Sequence, residues 1–507
     1  MLSIPAFGET KCFDNQLNRD ARVVLIPGAE ASRFADYCDL LTREGFAQRE
    51  RRSDERHAFA AFYQGGTGVF VNFFANTREL QLVVEEHTKY FSYSNTCGAP
   101  CVAPQITQLK LLDYGMTYVI RLSDGRFFVI DAGRPFAEDT DRLFACLKAG
   151  SPHEKPVIAA WLFTHAHADH LYGFFPFWER HGGQVTIEKI LFCFPEPEDV
   201  THYPALGKAA VDYPNATDRE KLQEFLSLAK HLEIPVYAPH TGQRYCVGDA
   251  ELVMLAGMED TIHCANHINA TSLAFSMVLA GQKLLWTGDS RFSEIRFSER
   301  YGADLKADIL QVPHHGFGSG TAEEQITAYR LIQPRVCLLP ASEEEAFTTF
   351  STFRPGTQFL MTQMDIEEMI VGDDNRTLTL PYTPAPGAKE FLAKRYRQGR
   401  DNAGATTWVF TDLNTAKAED ARFTVRNKTY LPSEITAELF LDGEQEAVCC
   451  MKLTAPGRTT TEVNIFCDDA NVGSIPQNAP FSVRFLCSLP VVVSQPQHKE
   501  SYRSSEN

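Results

Sequence analysis

Apolar and polar positions follow three rhythms along the chain. Between residues 20 and 92 short apolar runs alternate with turns. Residues 22–27 (RVVLIP) predict a strand, and residues 33–44 place Phe34, Tyr37, Cys38 and Leu41 at helical spacing on one face before Gly45 stops the helix. Residues 59–63, 68–74 and 80–86 predict three further strands. Together these define a small α+β unit over residues 1–105. The charged run at 49–56 (RERRSDER) reads as a solvated hairpin loop, with a phosphate-binding patch as the sharper alternative.

Residues 106–383 alternate strands with helices. Asp124-Gly125 is a hairpin signal between strands at 117–122 and 126–130. Residues 157–163 form an almost continuously apolar run, as expected of a strand buried on both faces. Residues 218–231 predict a helix with Leu222, Phe225, Leu226 and Ala229 inward, and strands are expected at 272–279, 282–286, 309–312 and 336–339. A helix at 388–397 lies within a linker, residues 384–404. From 405 to 490 helical periodicity gives way to short alternating strands at 407–410, 422–426, 435–441, 462–466 and 481–486, the spacing of an immunoglobulin-like β-sandwich. The polar residues 491–507 read as a disordered tail.

Composition narrows the class. The chain has 507 residues, 44% apolar and 22% charged, as in multidomain globular proteins. Its formal net charge of -17 argues against a broad nucleic-acid-binding surface, because such surfaces gain affinity by neutralising phosphates. Thirteen mostly scattered cysteines suggest reduced thiols in a cytoplasmic protein, with a redox or zinc role for Cys97 and Cys101 as the alternative. No window approaches the ~18 apolar residues of a membrane span, and the first residues lack a secretory pattern.

The candidate chemistry is concentrated in Thr164-His165-Ala166-His167-Ala168-Asp169-His170, directly after the apolar strand. Imidazoles and a carboxylate are ligands for zinc and its neighbours. Burying three imidazoles beside a carboxylate without a cation is costly. Three other apolar strands end in the same way: FFVIDAG at Asp131, LLWTGD at Asp289, and LQVPHHG at His314 and His315. Glycine beside each lets the backbone turn sharply.

This ordered set resembles the metallo-β-lactamase superfamily, over about residues 106–383. Within it, Asn269-Ala270-Thr271-Ser272-Leu273, W-T-G-D and V-P-H-H-G are similar to the metallohydrolase domain of ComEC-type DNA-uptake channels and its free-standing relatives. The resemblance implies an α/β fold, an αββα sandwich, with two divalent cations at the edge of its sheets. His165 and His167 are then ligands of one cation and Asp169 and His170 of the other. Asp289 bridges them, and either His314 or His315 completes the second. Asp131 supports a ligand histidine from behind. The superfamily's central histidine has no firm match: His267 and His263 are candidates, while Asn269 is expected to orient water or substrate. Zinc follows from the nitrogen-rich ligands, with manganese as the alternative.

The implied activity is attack by metal-activated water on a phosphodiester or related phosphate ester, from a small molecule or an oligonucleotide. Arg134, Arg291, Arg296 and Arg300 follow the motif turns and are candidate phosphate contacts. Asp169 is expected to steer the nucleophile. The same metal pair would serve a carboxylic ester, lactone or amide, and a binding or regulatory protein with a vestigial site is the reading from another class.

Overall fold

In a computed structural model the chain forms two compact units, Met1–Ser342 with Phe359–Lys389, and Glu343–Gln358 with Glu390–Asn507. The structure describes all residues except 1–12, 18–19, 89–90, 92–97, 200–217, 262–267, 294, 319, 352–353, 430, 467–474, 496–501 and 505–507. Cys97, His263 and His267 therefore lie outside the described residues. Nine free cysteines are described, among them the exposed Cys101.

The larger unit contains three sheets. The first has six antiparallel strands, ordered Phe13–Gln16, Ala21–Pro27, Glu79–Glu85, Thr67–Phe74, His57–Gln64 and Ala47–Ser53. Period-two alternation divides its side chains between two cores. Val24, Ile26, Ala60, Phe62, Val71 and Leu82 face the helix Ala31–Arg43, which buries Phe34, Tyr37, Cys38 and Leu41. Val23, Phe59, Ala61, Phe70 and Val83 face the other way, into the core of the sheets that follow. Two buried faces explain why its central strands read as unbroken apolar runs.

The charged run is not a loop. Residues 47–53 form an edge strand paired with His57–Gln64, and only Asp54–Arg56 turn. Arginine stems there cover aromatic rings, with Arg51 over Phe34 at 5.6 Å and Arg52 over Phe59 at 4.7 Å.

The other two sheets form the αββα sandwich. One runs Val236–Tyr237, Ile190–Leu191, Val157–Leu162, Phe127–Ile130, Tyr118–Arg121, Gln105–Gln108 and Thr377–Thr379, with Thr186–Ile187 alongside Val157–Leu162. The second runs Arg244–Val247, Ala250–Ala256, Ala274–Leu279, Gln282–Trp286, Ile309–Gln311, Val336–Leu339 and Glu368–Val371. Ile120, Phe128, Ile130 and Leu162 of the first meet Leu252, Phe275, Met277, Leu284 and Trp286 of the second in one core. Val119, Phe127, Val129 and Trp161 point outward, beneath the helices Ala137–Gly150 and Phe174–His181. In each sheet the strands that precede the chemical motifs are parallel, so their carboxyl ends lie together.

In the smaller unit the strands Cys449–Ala455, Ser433–Leu441, Pro480–Ser494, Ala405–Asn414 and Tyr502–Ser504 form an antiparallel sheet. Arg422–Asn427 and Thr459–Asn464 pair with each other, and the far end of Pro480–Ser494 joins them. That strand continues past Pro490 into the residues expected to be a tail, because Val491 and Val493 are buried beside Phe423 and Val425. The helix Ala388–Ala403, which falls within this unit from Glu390 onward, is longer than the expected 388–397.

Candidate metal centre

The strand ends deliver their side chains to one place. Asp131 ends Phe127–Ile130, and Thr164 to His170 follow Val157–Leu162. Asp289 follows Gln282–Trp286, and His314 and His315 follow Ile309–Gln311. Three of these residues have left-handed backbone: Asp131 (φ 55°), His314 (φ 50°) and His315 (φ 51°). Non-glycine residues rarely adopt that region, and strain of this kind clusters at functional sites. At Gly288 (φ 51°) an added Cβ would lie 3.0 Å from Thr164 Cβ and 3.2 Å from Ser272 Cβ, so glycine there lets the Asp289 turn close over the histidine loop.

Asp131 and Thr164 fix the histidines. The Thr164 backbone N–H donates to Asp131 Oδ1 at 2.7 Å, and the Thr164 hydroxyl donates to Oδ2 at 2.8 Å. His170 Nδ1 donates to the same Oδ2 at 2.7 Å. Because the Thr164 hydroxyl spends its proton on Asp131, its oxygen accepts from His165 Nδ1 at 3.1 Å. His315 Nδ1 donates to the Pro340 carbonyl at 3.1 Å, and His314 Nδ1 donates to the Gly318 carbonyl at 2.9 Å. Each of these four imidazoles, when neutral, is thus in the tautomer with its lone pair on Nε2.

Those lone pairs converge. His170 Nε2 lies 3.1 Å from His315 Nε2, and His165 Nε2 lies 3.1 Å from His167 Nδ1. Asp289 reaches all sides: Oδ1 is 3.4 Å from His170 Nε2, and Oδ2 is 3.7 Å from His165 Nε2 and 3.6 Å from His315 Nε2. Asp169 Oδ2 is 3.2 Å from His315 Nε2 and 4.0 Å from His170 Nε2. Lone pairs facing one another and carboxylate oxygens repel unless a proton or cation lies between them. Asp289 Oδ1 is buried without a hydrogen-bond partner. Donors at ~2.0–2.1 Å around a tetrahedral zinc stand ~3.3 Å apart, close to these separations. The residues present therefore fit divalent cations. Two overlapping groups qualify, His165 with His170 and Asp289, and Asp169 with His170 and His315, each with its ligand atoms within 4.8 Å of one another.

The electrostatics agree. Burial would raise the carboxyl of Asp289, but His170, His315 and His314 hold it well below the usual range. His170 and His315 likewise hold Asp169 low against burial. Burial pushes His165 well down and His167 to about 4, keeping both neutral near pH 7. Against burial, Asp289, Asp131 and Asp169 push His170 well up. Without a cation, the cluster thus draws a proton onto His170.

His314 stands apart from His315. Its side chain is 28% exposed against 1% for His315, and its Nε2 accepts from Asn269 Nδ2 at 3.1 Å. Asn269 Oδ1 is buried without a hydrogen-bond partner. The arginines divide differently from expectation. Arg300 pairs with Glu79 (3.2 Å) and Asp260 (2.5 Å), and Arg296 pairs with Glu79 (2.7 Å) and Glu299 (2.5 Å). Both are held by carboxylates and are not free phosphate contacts. Arg134 is buried, stacked 4.2 Å from the centre of the Tyr114 ring, which in turn lies 5.8 Å from His315. Sequence reasoning gave Thr164 and Tyr114 no role. The position of Thr164 between the strand and His165 is a usable signal for the first, and nothing local marks the second.

Residues 112–321 match the family model of the Metallo-beta-lactamase superfamily. The chain thus carries a metallo-β-lactamase-fold domain, with candidate His and Asp ligands for the divalent metals that this fold typically binds. Among solved structures it is similar to the metallo-β-lactamase fold protein YhfI from Bacillus subtilis, at 14% identity and TM-score 0.34, over 54% of this chain and 99% of that one. It is also similar to CmlA, a diiron β-hydroxylase from Streptomyces venezuelae, at 12% identity and TM-score 0.27, over 47% of this chain and 45% of that one. The match to CmlA thus spans less than half of that protein's length. A third likeness, at 21% identity and TM-score 0.17, is to the Anabaena sensory rhodopsin transducer, over 18% of this chain and 83% of that one. No curated protein matches the chain. No helix among the described residues is long and apolar enough to cross a membrane.

Proposed function

We propose that the chain is a metal-dependent hydrolase acting on a phosphodiester or related phosphate ester, with two divalent cations held at the Asp289 cluster. His165 and His167 with Asp289 hold one, and Asp169, His170 and His315 with Asp289 hold the other. The observation that carries this reading is the pair of imidazoles with Nδ1 hydrogens committed to Asp131 and Pro340, whose Nε2 atoms face each other at 3.1 Å beside two carboxylates. Zinc suits the nitrogen-rich set, with manganese as the alternative. When bound, such cations supply an activated water and Lewis acidity toward the substrate oxygens.

The remaining roles belong to side chains. Asp169 is held too low to store a proton near neutral pH, so it orients water by accepting a hydrogen bond. His314 and Asn269 form a polar edge beside Asp289, where the part-exposed His314 is open to substrate. Asp131 and Thr164 keep the ligand imidazoles in register. The likeness to ComEC-type metallohydrolase domains supports a phosphodiester over a carboxylic ester.

The test is hydrolysis of bis-p-nitrophenyl phosphate by the full chain, compared with p-nitrophenyl acetate, a lactone and a β-lactam. We expect phosphodiester turnover that a chelator removes and added zinc or manganese restores. His165→Ala and Asp289→Ala should each abolish it while the protein stays folded. Faster turnover of the ester or lactone would reassign the substrate. Metal-loaded protein inert toward every substrate would sink the hydrolase reading and favour a binding role.

A further inference from the structure

A second group of metal-ligating side chains converges away from Asp289, from separate segments of the larger unit. Cys193 follows the short strand Ile190–Leu191. His240 lies between Val236–Tyr237 and Arg244–Val247, and Glu259 lies in the turn Met258–Asp260. Cys193, His240 and Glu259 are 3%, 0% and 3% exposed, and their ligand atoms lie within 4.8 Å of one another. Glu85, the last residue of the strand Glu79–Glu85 in the N-terminal sheet, approaches from the other side of the imidazole.

The two imidazole nitrogens face different carboxylates. His240 Nδ1 is 3.6 Å from Glu259 Oε2, and Nε2 is 3.4 Å from Glu85 Oε2. All four atoms are buried and none makes a hydrogen bond. Glu259 is otherwise anchored, because its Oε1 accepts the Thr241 backbone N–H at 2.5 Å, which leaves Oε2 aimed at the group. The His240 backbone N–H donates to Gln243 Oε1 at 2.7 Å, and the Phe70 ring packs 4.8 Å from the imidazole. Buried polar atoms without partners are costly, and native structures contain few.

A protonated histidine clamped between two carboxylates would close to the ~2.7–2.9 Å of charge-assisted hydrogen bonds. These separations are longer, and that arrangement gives the Cys193 sulfur no task. One thiol, one imidazole and one carboxylate are instead three of the four donors of a tetrahedral zinc site. A carboxylate on the far nitrogen is the usual way to orient a ligand histidine. We propose that Cys193, His240 and Glu259 bind a structural divalent cation, zinc by its donor set, with Glu85 accepting the hydrogen of His240 Nε2. The cation ties the loops of the two-sheet core to the N-terminal sheet through His240 and Glu85. Because the site is sealed from solvent, it serves the fold and not turnover. In the absence of a cation, Glu85 and Glu259 push His240 up to about 10 against burial, and burial keeps the Cys193 thiol protonated. Coordination then requires that both give up a proton.

The test uses sulfur as a reporter. The Asp289 cluster offers only nitrogen and oxygen, so a thiolate-to-cobalt charge-transfer band belongs to a different site. Full-length protein is stripped with a chelator, reloaded with Co2+ and scanned in the near ultraviolet. We expect a thiolate band that Cys193→Ser abolishes, with one fewer cobalt per chain, and that Asp289→Ala leaves intact. Glu259→Gln should weaken the same binding at least tenfold, which keeps the test available if Cys193→Ser does not fold. No thiolate band in the unmodified protein, or a band unchanged in Cys193→Ser or Glu259→Gln, would overturn the proposal. Loss of phosphodiesterase activity alone bears only on the Asp289 cluster.

Discussion

Asp131→Asn removes a charge while preserving shape, and its effect can be worked through atom by atom. Asp131 is fully buried and accepts three hydrogen bonds, one on Oδ1 from the Thr164 backbone and two on Oδ2 from the Thr164 hydroxyl and His170 Nδ1. An asparagine can keep its oxygen on the Thr164 N–H, but its amide then meets two donors. The Thr164 hydroxyl can rotate to accept. His170 can adapt only by moving its proton from Nδ1 to Nε2, which removes the lone pair that faces His315 and Asp289. Losing an oriented ligand in this way weakens metal binding or activity by ~10–100-fold, or ~1.4–2.7 kcal/mol. Loss of the charged hydrogen bond costs a further ~1.5–3 kcal/mol of fold stability. Competition against a chromophoric chelator reads the affinity, and thermal unfolding of the chelated protein reads the stability. A variant that binds metal within twofold of the parent would show that Asp131 does not set the His170 tautomer, and the ligand assignment built on it would fail.

Three other outcomes are expected. Gly288→Ala introduces a Cβ 3.0 Å from that of Thr164 at a φ of 51°. It should cost ~1–3 kcal/mol and weaken metal binding, and an unchanged melting temperature would contradict this packing. Arg300→Met takes the cation from the buried Asp260 carboxylate, which keeps only neutral donors from Gln81, Thr241 and Gly257. We expect a loss of ~3–5 kcal/mol in urea unfolding of the larger unit, and a change below a tenth of that would refute the buried pairing. His57 is pushed down to about 4 by burial and then by the Arg52 charge, from an ordinary value of 6.5. The unfolded chain therefore takes up a proton near pH 6.5 that the folded chain refuses until about pH 4, so stability falls as pH drops through that window, by up to ~3 kcal/mol. His57→Gln keeps a partner for Asn72 and should flatten that part of the stability profile, and a superimposable profile would rule His57 out as its source.

Much of the fold was legible because apolar rhythm reports burial. The helix at 31–43 buries the four residues its spacing predicted, and the strand Gln282–Trp286 coincides with its apolar run. The strand Ala47–Ser53 was not legible. As an exposed edge strand it needs only backbone pairing and arginine stems lying on Phe34 and Phe59, so its side chains carry no apolar period. Cys449–Ala455 differs, because inward Cys449, Met451, Leu453 and Ala455 alternate with exposed Cys450, Lys452 and Thr454, so its period of two was present in the sequence although no strand was expected there. Arg296 and Arg300 misled because closeness to a motif in the chain says nothing of which carboxylate a side chain meets. Their partner Glu79 is more than 200 residues away in sequence.

By itself the amino-acid sequence marked the candidate residues and placed them at the ends of buried strands. Dense histidine and aspartate at the ends of buried strands is a local pattern, and chain order alone preserves it. Tertiary structure decided the finer matters: that His315 turns inward while His314 remains part-exposed beside Asn269, that Asp131 holds His170 directly and His165 through Thr164, and that Cys193, His240, Glu259 and Glu85 meet at all. These depend on left-handed backbone, tautomers and contacts between distant segments. Such features arise only when separate strands pack, so no stretch of sequence encodes them locally.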